Sequence, residues 1–397
     1  MTADTTPAPA SATPDSASPA SATARSAPTA EVPGLDVAGL EAWLVDAHPD
    51  LVVPGQHLTA TVIAGGRSNL TYGIDGAARP LIVRRPPLGH VLSSAHDMRR
   101  EHRVISALAG SAVPVPVAVD VVDDTEAKQV TGTVFFVMER APGRVLARPT
   151  HNAGFTPDAL RALSLELAGD LAALHSVDPE TVGLADFGKP DGFLTRQLAT
   201  WRRQLDASRS RETPELDRLQ AALEAEVPET TRTGIVHGDF RLDNALVTGE
   251  GDEAHVSAIL DWEMATLGDP LVDVGMFAMY WEIGHLPGAL ATAVPSAVDA
   301  AAGYPTLNEM IAAYAERAGI PVPELHWYRA FAAYKLAVIL EGIHYRYQQG
   351  GTVGEGFDQM GGLVAPLARA GLTALDAEAS AAPSDTDSDT PTESEAR

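Results

Sequence analysis

The sequence predicts an α+β fold in which a small strand-rich part is followed by a larger, mainly helical part. Short segments of strand character recur between residues 58 and 138, separated by glycine and proline. After residue 157 the spacing of apolar residues becomes that of an amphipathic helix, as in Leu160, Leu163, Leu167, Leu171 and Leu174. A hairpin formed by 245–247 and 256–260 interrupts the helical part and carries acidic and amide residues at its ends.

The composition excludes several classes of protein. A chain of 397 residues with 45% hydrophobic and 20% charged residues is long enough for two lobes and has a globular balance. The net charge of −25 argues against partners such as nucleic acid or an anionic membrane. No apolar run reaches the roughly 18 residues of a membrane span. The absence of cysteine excludes disulfides and fits a cytoplasmic location.

The two ends of the chain differ in composition from its interior. Residues 1–33 are rich in Ala, Ser, Thr and Pro, and residues 376–397 are rich in Ser, Thr and acids. Both are predicted to be disordered tails, because they cannot bury enough apolar surface to offset the entropy of ordering. The ordered chain between them is expected to form an N-terminal lobe, 34–140, and a C-terminal lobe, 141–375.

The first elements of the N-terminal lobe are a helix and a hairpin. The helix, 36–47, begins with Asp36 as its N-cap. Strands 58–64 and 70–74 follow, and the turn between them contains Gly66, Ser68 and Asn69. A glycine-rich turn lets backbone N–H groups approach phosphate oxygens, although such a turn by itself is more often a plain connection.

The next strand, 80–85, ends in two arginines that are candidates for binding phosphate. Alternation places Arg84 and Arg85 on opposite faces and does not choose between them. We favour Arg84, because Arg85 adjoins Pro86, where the strand is already ending. A helix over 94–109 carries Glu101, and further strands are expected at 113–117 and 133–138.

The polar residues of the later hairpin have the spacing of a kinase catalytic loop. His237, Asp239 and Asn244 follow the pattern His-x-Asp-x4-Asn, and Asp261 comes after the second strand of the hairpin. Phosphoryl transfer needs a carboxylate to orient the acceptor hydroxyl, and Asp239 suits that role. Asn244 and Asp261 offer the oxygen ligands that Mg²⁺ prefers. Arg241 could offset charge developing on the γ-phosphate.

These motifs resemble the aminoglycoside phosphotransferase and choline kinase superfamily. The segments 237–244 and 260–270 are most similar to its branch related to the kinase-like domains of acyl-CoA dehydrogenase family members. The resemblance, over roughly residues 35 to 375, implies a bilobal protein-kinase-like fold with ATP and Mg²⁺ bound between the lobes. It assigns nucleotide contacts to Gly66, Ser68, Asn69, Arg84, Glu101, Met138, Glu139 and Ala141.

Further roles follow from the same resemblance. Glu101 would pair with the strand cation, which is arginine here because no lysine precedes Lys128. The backbone at Glu139 and Ala141 would bond to adenine, with Met138 beside the ring. Asp273 would brace the catalytic loop. Additional metal ligation by Glu263 or Asp269 remains an alternative.

The acceptor is the least determined feature. The resemblance ranks a small-molecule alcohol such as a hydroxyacyl-CoA first. An aminoglycoside is second, since an acidic lobe suits a polycation, and a choline-like alcohol is third. A different class, a catalytically silent nucleotide-binding protein, is favoured only by the missing strand lysine.

Overall fold

A five-stranded antiparallel sheet forms the centre of the N-terminal lobe. In this computed structural model, residues 32–63, 69–88, 97–286, 294, 296–350 and 357–379 are described. The sheet has the order β1-β2-β3-β5-β4, and every neighbouring pair is antiparallel. Its strands are β1 (Thr59–Val62), β2 (Leu70–Asp75), β3 (Leu81–Arg85), β4 (Ala118–Asp123) and β5 (Val134–Glu139).

The two faces of this sheet pack against different parts of the molecule. Helix α1 (Val37–Ala47) covers the face that carries Leu81 and Val83. Helix α2 (Met98–Leu108) packs on the other face, where Ile82 joins the continuous core of the C-terminal lobe. Because successive side chains of a strand alternate, Arg84 lies on the α2 side with Ile82, and Arg85 lies on the α1 side.

The C-terminal lobe is mainly helical and contains two small sheets. Strands β6, β8 and β9 form one sheet, and β7 pairs with β10 in the other. The strands are β6 (Arg144–Val145), β7 (Gly234–Val236), β8 (Ala245–Thr248), β9 (His255–Ile259) and β10 (Thr266–Gly268). The helices are α3 (Pro157–Ser176), α4 (Phe193–Ser208), α5 (Pro214–Ala225), α6 (Leu271–Glu282), α7 (Leu307–Ala318), α8 (His326–Gln348) and α9 (Met360–Ala379). The predicted bilobal α+β fold is confirmed. Among the described helices, none is both long enough and apolar enough to cross a bilayer.

Two sequence expectations differ from the structure. The strand predicted over 113–117 is wrong, and β4 begins only at Ala118. Pro114 and Pro116 cannot donate to a ladder, and the carbonyl of Pro114 instead accepts from Ile259 N–H at 2.8 Å. Helix α9 continues to Ala379, beyond the tail boundary expected at residue 376.

Helix α2 is bound to the C-terminal lobe by two arginines. Arg100 donates to the carbonyls of Phe187 and Ala265, and its guanidinium lies 3.8 Å from the centroid of the Phe187 ring. One turn later, Arg103 donates to the Gly183 carbonyl at 2.8 Å. The helix that carries Glu101 is therefore held by polar contacts to the lobe below it as well as by apolar packing on the sheet.

Candidate active site

The catalytic turn, residues 237–244, is held from below by one buried carboxylate. Asp273, in the first turn of α6, accepts from the N–H groups of His237 at 2.6 Å and Gly238 at 2.8 Å. Burial alone would raise the pKa of Asp273, but its hydrogen bonds and the neighbouring histidines lower it, so the carboxylate is ionised. The expectation that Asp273 braces this turn is confirmed.

His237 connects the catalytic turn to the end of β9. Its Nε2 donates to the Leu260 carbonyl at 3.0 Å, and its Nδ1 accepts from Asp239 N–H at 3.2 Å. Complete burial lowers its pKa, so the ring is neutral, and the two contacts require the proton on Nε2. This histidine therefore fixes backbone geometry and is not placed as a base.

Asp239 is the carboxylate that remains open to the cleft. Its Oδ2 accepts from the Asn244 amide nitrogen at 3.1 Å and lies 3.2 Å from Arg241 Nε. The side chain keeps 21% of its surface exposed. Asn244 also donates to the Asp239 carbonyl at 2.9 Å, which closes the turn. The arrangement holds one carboxylate in a fixed direction at the surface of the cleft.

Asp261 lies beside this turn in a left-handed backbone conformation. Its φ is 68°, which is uncommon for a residue other than glycine and turns the chain sharply after β9. Its Oδ1 is 3.4 Å from Arg84 Nη2, and a third of its side chain is exposed. Asn244 uses its amide nitrogen on Asp239, so its oxygen is the atom suited to a metal.

The donors of Asn244 and Asp261 fit Mg²⁺ in chemistry and number. Both supply oxygen, and Mg²⁺ takes only one or two protein ligands when phosphates and water complete its octahedron. Within the described part of the chain, no group of three or more His, Asp or Glu side chains is arranged to hold a metal. A metal here would therefore depend on the phosphates of a bound nucleotide.

Arg84 connects the N-terminal lobe to Asp261. Its Nη1 is 2.6 Å from Glu101 Oε1, and both side chains are buried, at 11% and 1% exposed. Burial raises the pKa of Glu101 to about 7 although Arg84 opposes the rise. Burial opposes the charge on Arg84, but Glu101 and Asp261 outweigh it and raise the pKa of the guanidinium.

Arg85 has a different environment. It donates to the backbone carbonyls of Pro86, Gly34 and Thr131 at 3.0, 2.8 and 3.0 Å. It is 7% exposed and binds the segment before α1 to the sheet. The geometry thus favours Arg84 as the cation that faces the cleft.

Sequence comparison agrees with this geometry. A model of the phosphotransferase enzyme family matches residues 59–307, more than half of the chain. The chain belongs to this family. A related sequence is acyl-CoA dehydrogenase family member 10 of Mus musculus, 35% identical over 306 residues. That match covers 76% of this chain but 28% of the relative, so the chain spans only about a quarter of its length.

Solved structures share the fold of this chain. A protein of Ralstonia eutropha JMP134 assigned as an aminoglycoside phosphotransferase superposes with a TM-score of 0.72 at 31% identity, covering 86% of this chain and 99% of that one. A mutant of aminoglycoside phosphotransferase APH(4)-Ia, in a ternary complex with ADP and hygromycin B, has a TM-score of 0.53 at 16% identity. That match covers 85% of this chain and 98% of that one, and it shows the shared fold.

The glycine-rich turn between β1 and β2 is only partly described. Gly66 and Ser68 lie outside the described residues. Asn69 is 2% exposed, and its amide nitrogen donates to Glu263 Oε2 at 2.9 Å. This bond joins the base of the turn to the segment after Asp261, and a phosphate contact by Asn69 stays a prediction.

Asp269, weighed as an extra metal ligand, has a structural role. Its Oδ1 accepts from Leu271 N–H at 3.0 Å, and its Oδ2 accepts from the Tyr328 hydroxyl at 2.9 Å. It is 2% exposed and caps the start of α6 against α8. The carboxylate is therefore committed to the fold and does not reach the cleft.

The segment expected to bind adenine leaves the sheet at the end of β5. Met138 is buried in the core shared with the C-terminal lobe. Glu139 donates its N–H to the Val117 carbonyl at 2.8 Å, and its carboxylate is 2.5 Å from Arg79. Ala141 is half-buried. Adenine contacts by these residues stay a prediction.

Arg241 lies between Asp239 and a small cavity. Its Nη1 is 2.9 Å from Asp243, and its guanidinium lies 4.8 Å from the centroid of the Tyr280 ring. Burial opposes its charge, but Asp239 and Asp243 raise its pKa. Apart from Arg241, Asp243 and Ser296, the cavity walls are mainly apolar, formed by residues such as Leu146, Leu242, Phe277, Trp281, Ile283, Ala297 and Val298.

Sequence reasoning did not assign two residues that the structure brings to the site, Tyr280 and Lys335. Tyr280 lies behind Arg241, and Lys335 of α8 donates to the Gly238 carbonyl. One signal could have found Lys335. It is one of only three lysines, with Lys128 and Lys189, and it interrupts an otherwise apolar stretch of helix.

Proposed function

We propose that the chain is an ATP- and Mg²⁺-dependent phosphotransferase that moves the γ-phosphate of ATP to an alcohol group of a small molecule. The observation that best supports this function is the convergence of Asp239, Asn244, Asp261 and Arg84 on one cleft between the lobes. Asp239, Asn244 and Asp261 are the residue types that phosphoryl transfer uses at those places, and Arg84 stands where kinases have a lysine. Family membership supports the same reaction class.

In the proposed reaction, Asp239 orients the acceptor hydroxyl and accepts its proton. The alcohol oxygen forms a bond to the γ-phosphorus as the bond between that phosphorus and the bridging oxygen breaks, and ADP leaves. Asn244 and Asp261 would hold Mg²⁺, which would supply positive charge to neutralise the phosphates. Arg84 contributes a second positive charge from the sheet, and Arg241 contributes a third beside Asp239.

The favoured acceptor is a hydroxyacyl-CoA or a similar hydroxylated metabolite. The matching relative carries the name of an acyl-CoA dehydrogenase family member. The cavity beside Arg241 combines apolar residues with Arg241, Asp243 and Ser296, and its apolar part would suit the hydrocarbon chain of an acyl group. An aminoglycoside is the alternative, supported by the structural neighbours and by the net charge of −25. A choline-like alcohol ranks third.

ATP turnover in wild type and in Asp239→Ala tests the catalytic proposal. A thermal shift with ATP that requires Mg²⁺ first establishes nucleotide binding in both proteins. Turnover is then expected to fall at least about a hundredfold in Asp239→Ala, since the variant lacks the group that accepts the proton. Asp50→Asn, a change at an exposed acid outside the cleft, is the matched control and should retain turnover. Identical turnover in wild type and Asp239→Ala would refute the catalytic proposal and favour a catalytically silent nucleotide-binding protein.

A mass-spectrometric screen tests the acceptor. Wild type with ATP and Mg²⁺ is offered hydroxyacyl-CoAs, aminoglycosides and amino alcohols, and each product is examined for the gain of one phosphoryl group. Ala147→Leu should narrow the cavity beside Arg241 and raise the KM of the acceptor, with the KM of ATP unchanged. Phosphorylation of kanamycin-like sugars alone would refute the favoured acceptor.

A further inference from the structure

Lys335 places a buried positive charge beneath the catalytic turn. It is 5% exposed on α8, and its ammonium donates to the Gly238 carbonyl. The same ammonium lies 3.8 Å from Met264 Sδ and 5.3 Å from the centroid of the Trp201 ring. Burial lowers the pKa of Lys335, whereas Asp239 and Asp273 favour its charged form. Burying an ammonium group costs free energy unless polar groups surround it. The contacts that Lys335 makes here therefore bear on its role.

The carbonyl that Lys335 holds belongs to the peptide unit directly before Asp239. The N–H of that same unit donates to His237 Nδ1 at 3.2 Å. The unit is therefore held at its oxygen by α8 and at its nitrogen by the catalytic turn itself. Its orientation sets the direction in which the Asp239 side chain leaves the backbone.

Gly238 makes this restraint necessary. Its φ is +88°, and a Cβ at this position would lie 2.8 Å from Met264 Cβ, so the turn requires glycine. Glycine also rotates more freely than any other residue and lets the following peptide unit reorient. Asp273 holds Gly238 on its N–H side, which leaves the carbonyl side to Lys335.

We propose that Lys335 is a positioning residue that fixes the Gly238–Asp239 peptide unit and thereby the direction of the catalytic carboxylate. The proposal rests on the phosphotransferase function proposed above. The charged groups that face the ammonium are Asp239, Asp273 and Arg241. Lys335 touches neither nucleotide nor acceptor in this scheme, so its loss should reduce kcat while leaving nucleotide affinity intact.

The test compares Lys335→Met with Glu341→Gln. Methionine resembles the lysine stem in length and removes the ammonium, with its donor and its charge. Glu341 is a matched control, because it is a fully buried charge on the same helix, paired with Arg211 at 2.7 Å and outside the cleft. The probe reaction is Mg²⁺-dependent release of ADP from ATP with water as acceptor. Amide hydrogen exchange over residues 235–244 is measured on the same samples.

Lys335→Met is expected to lower kcat by roughly tenfold to a hundredfold, with the KM of ATP within about twofold of wild type. Exchange should accelerate over 235–244 and stay unchanged in α3 and α7. Glu341→Gln should melt earlier yet keep the wild-type kcat and the wild-type exchange over 235–244. If Lys335→Met does not fold, Lys335→Leu, which also lacks a donor, is measured in its place with the same expectation.

Wild-type kcat and exchange in the folded Lys335 variant would overturn the proposal. Exchange raised evenly over the whole chain would also overturn it, because that result describes a loss of general stability. Failure of wild type to turn over ATP would count against the proposed function alone. Exchange over 235–244 would then still decide whether Lys335 holds the peptide unit before Asp239.

Discussion

Adjacent arginines on β3 offer a way to separate nucleotide binding from stability. Arg84→Ala removes the guanidinium that faces Glu101 and Asp261 across the cleft. Arg85→Ala removes a guanidinium that donates to three backbone carbonyls on the opposite face of the sheet. The two variants lose the same side chain from neighbouring positions, and we expect opposite consequences.

The structure allows the sizes of both effects to be worked out. A hydrogen bond to a charged group contributes about 1.5–3 kcal/mol, so loss of a phosphate contact should weaken ATP binding in Arg84→Ala by roughly 10- to 150-fold. The stability cost of Arg84→Ala is limited to about 1–2 kcal/mol, because Glu101, with a pKa of about 7, can take up a proton when left unpaired. Arg85→Ala gives up three charge-assisted bonds in a buried site and should lose about 2–4 kcal/mol of unfolding free energy.

Two measurements decide between these expectations. Titration calorimetry gives the Kd of ATP with Mg²⁺, and urea unfolding followed by tryptophan fluorescence gives stability. Arg79→Ala, at a strand-flanking arginine with 52% of its side chain exposed, controls for the loss of a positive charge. A larger loss of ATP affinity in Arg85→Ala than in Arg84→Ala would refute the assignment of Arg84 to the cleft.

The remaining predictions concern the catalytic turn and the buried acids. Asp273→Asn should lower the unfolding free energy by about 3–4 kcal/mol in urea titrations, because an amide cannot accept from both N–H groups that Asp273 holds. A loss below about 1 kcal/mol would contradict the bracing role. Gly238→Ala should lower the melting temperature, since its Cβ would press on Met264 at a φ of +88°; an unchanged melting temperature would mean that the turn relaxes. Glu101 binds protons more tightly in the native state than in the unfolded chain, so stability should fall as pH rises from its ordinary pKa of 4.5 towards about 7. Asp170, whose pKa burial raises to about 8, acts in the same direction. The urea midpoint is measured at pH 5 and pH 8, and its change between the two should be smaller in Glu101→Gln and in Asp170→Asn than in wild type. A change as large as that of wild type in both variants would exclude these groups as the source of the pH dependence.

Much of the fold could be predicted from interactions between residues that are close in sequence. Asp36 was expected to cap the first helix, and its carboxylate accepts from Gly39 N–H at 2.9 Å. The hairpin after Asn244 was recognisable because two apolar runs flank a polar turn, and β8 and β9 pair there as predicted. Arg84 was preferred over Arg85 as the phosphate-binding cation, and that role stays a prediction, although Arg84 does lie beside Asp261.

Contacts between segments that are distant in sequence could not be predicted. The Asn69 amide and the Glu263 carboxylate are 2.9 Å apart but 194 residues apart in sequence, and no local pattern brings them together. Lys335 is 97 residues from the carbonyl that it holds. From the sequence alone, a lysine on a helix is expected to be solvated. The packing of α8 against α6 and α4 buries this one. Residue spacing predicts which side chains share a turn, but the burial of a charged side chain depends on how the helices pack.

Helix α2 joins the N-terminal sheet to the C-terminal lobe. Arg100 and Arg103 bind it to carbonyls at Phe187, Ala265 and Gly183 of the helical lobe, while its other face packs on β4 and β5. Glu101 of this helix lies 2.6 Å from Arg84 of β3. The position of Arg84 is therefore tied, through one helix, to the lobe that carries Asp239.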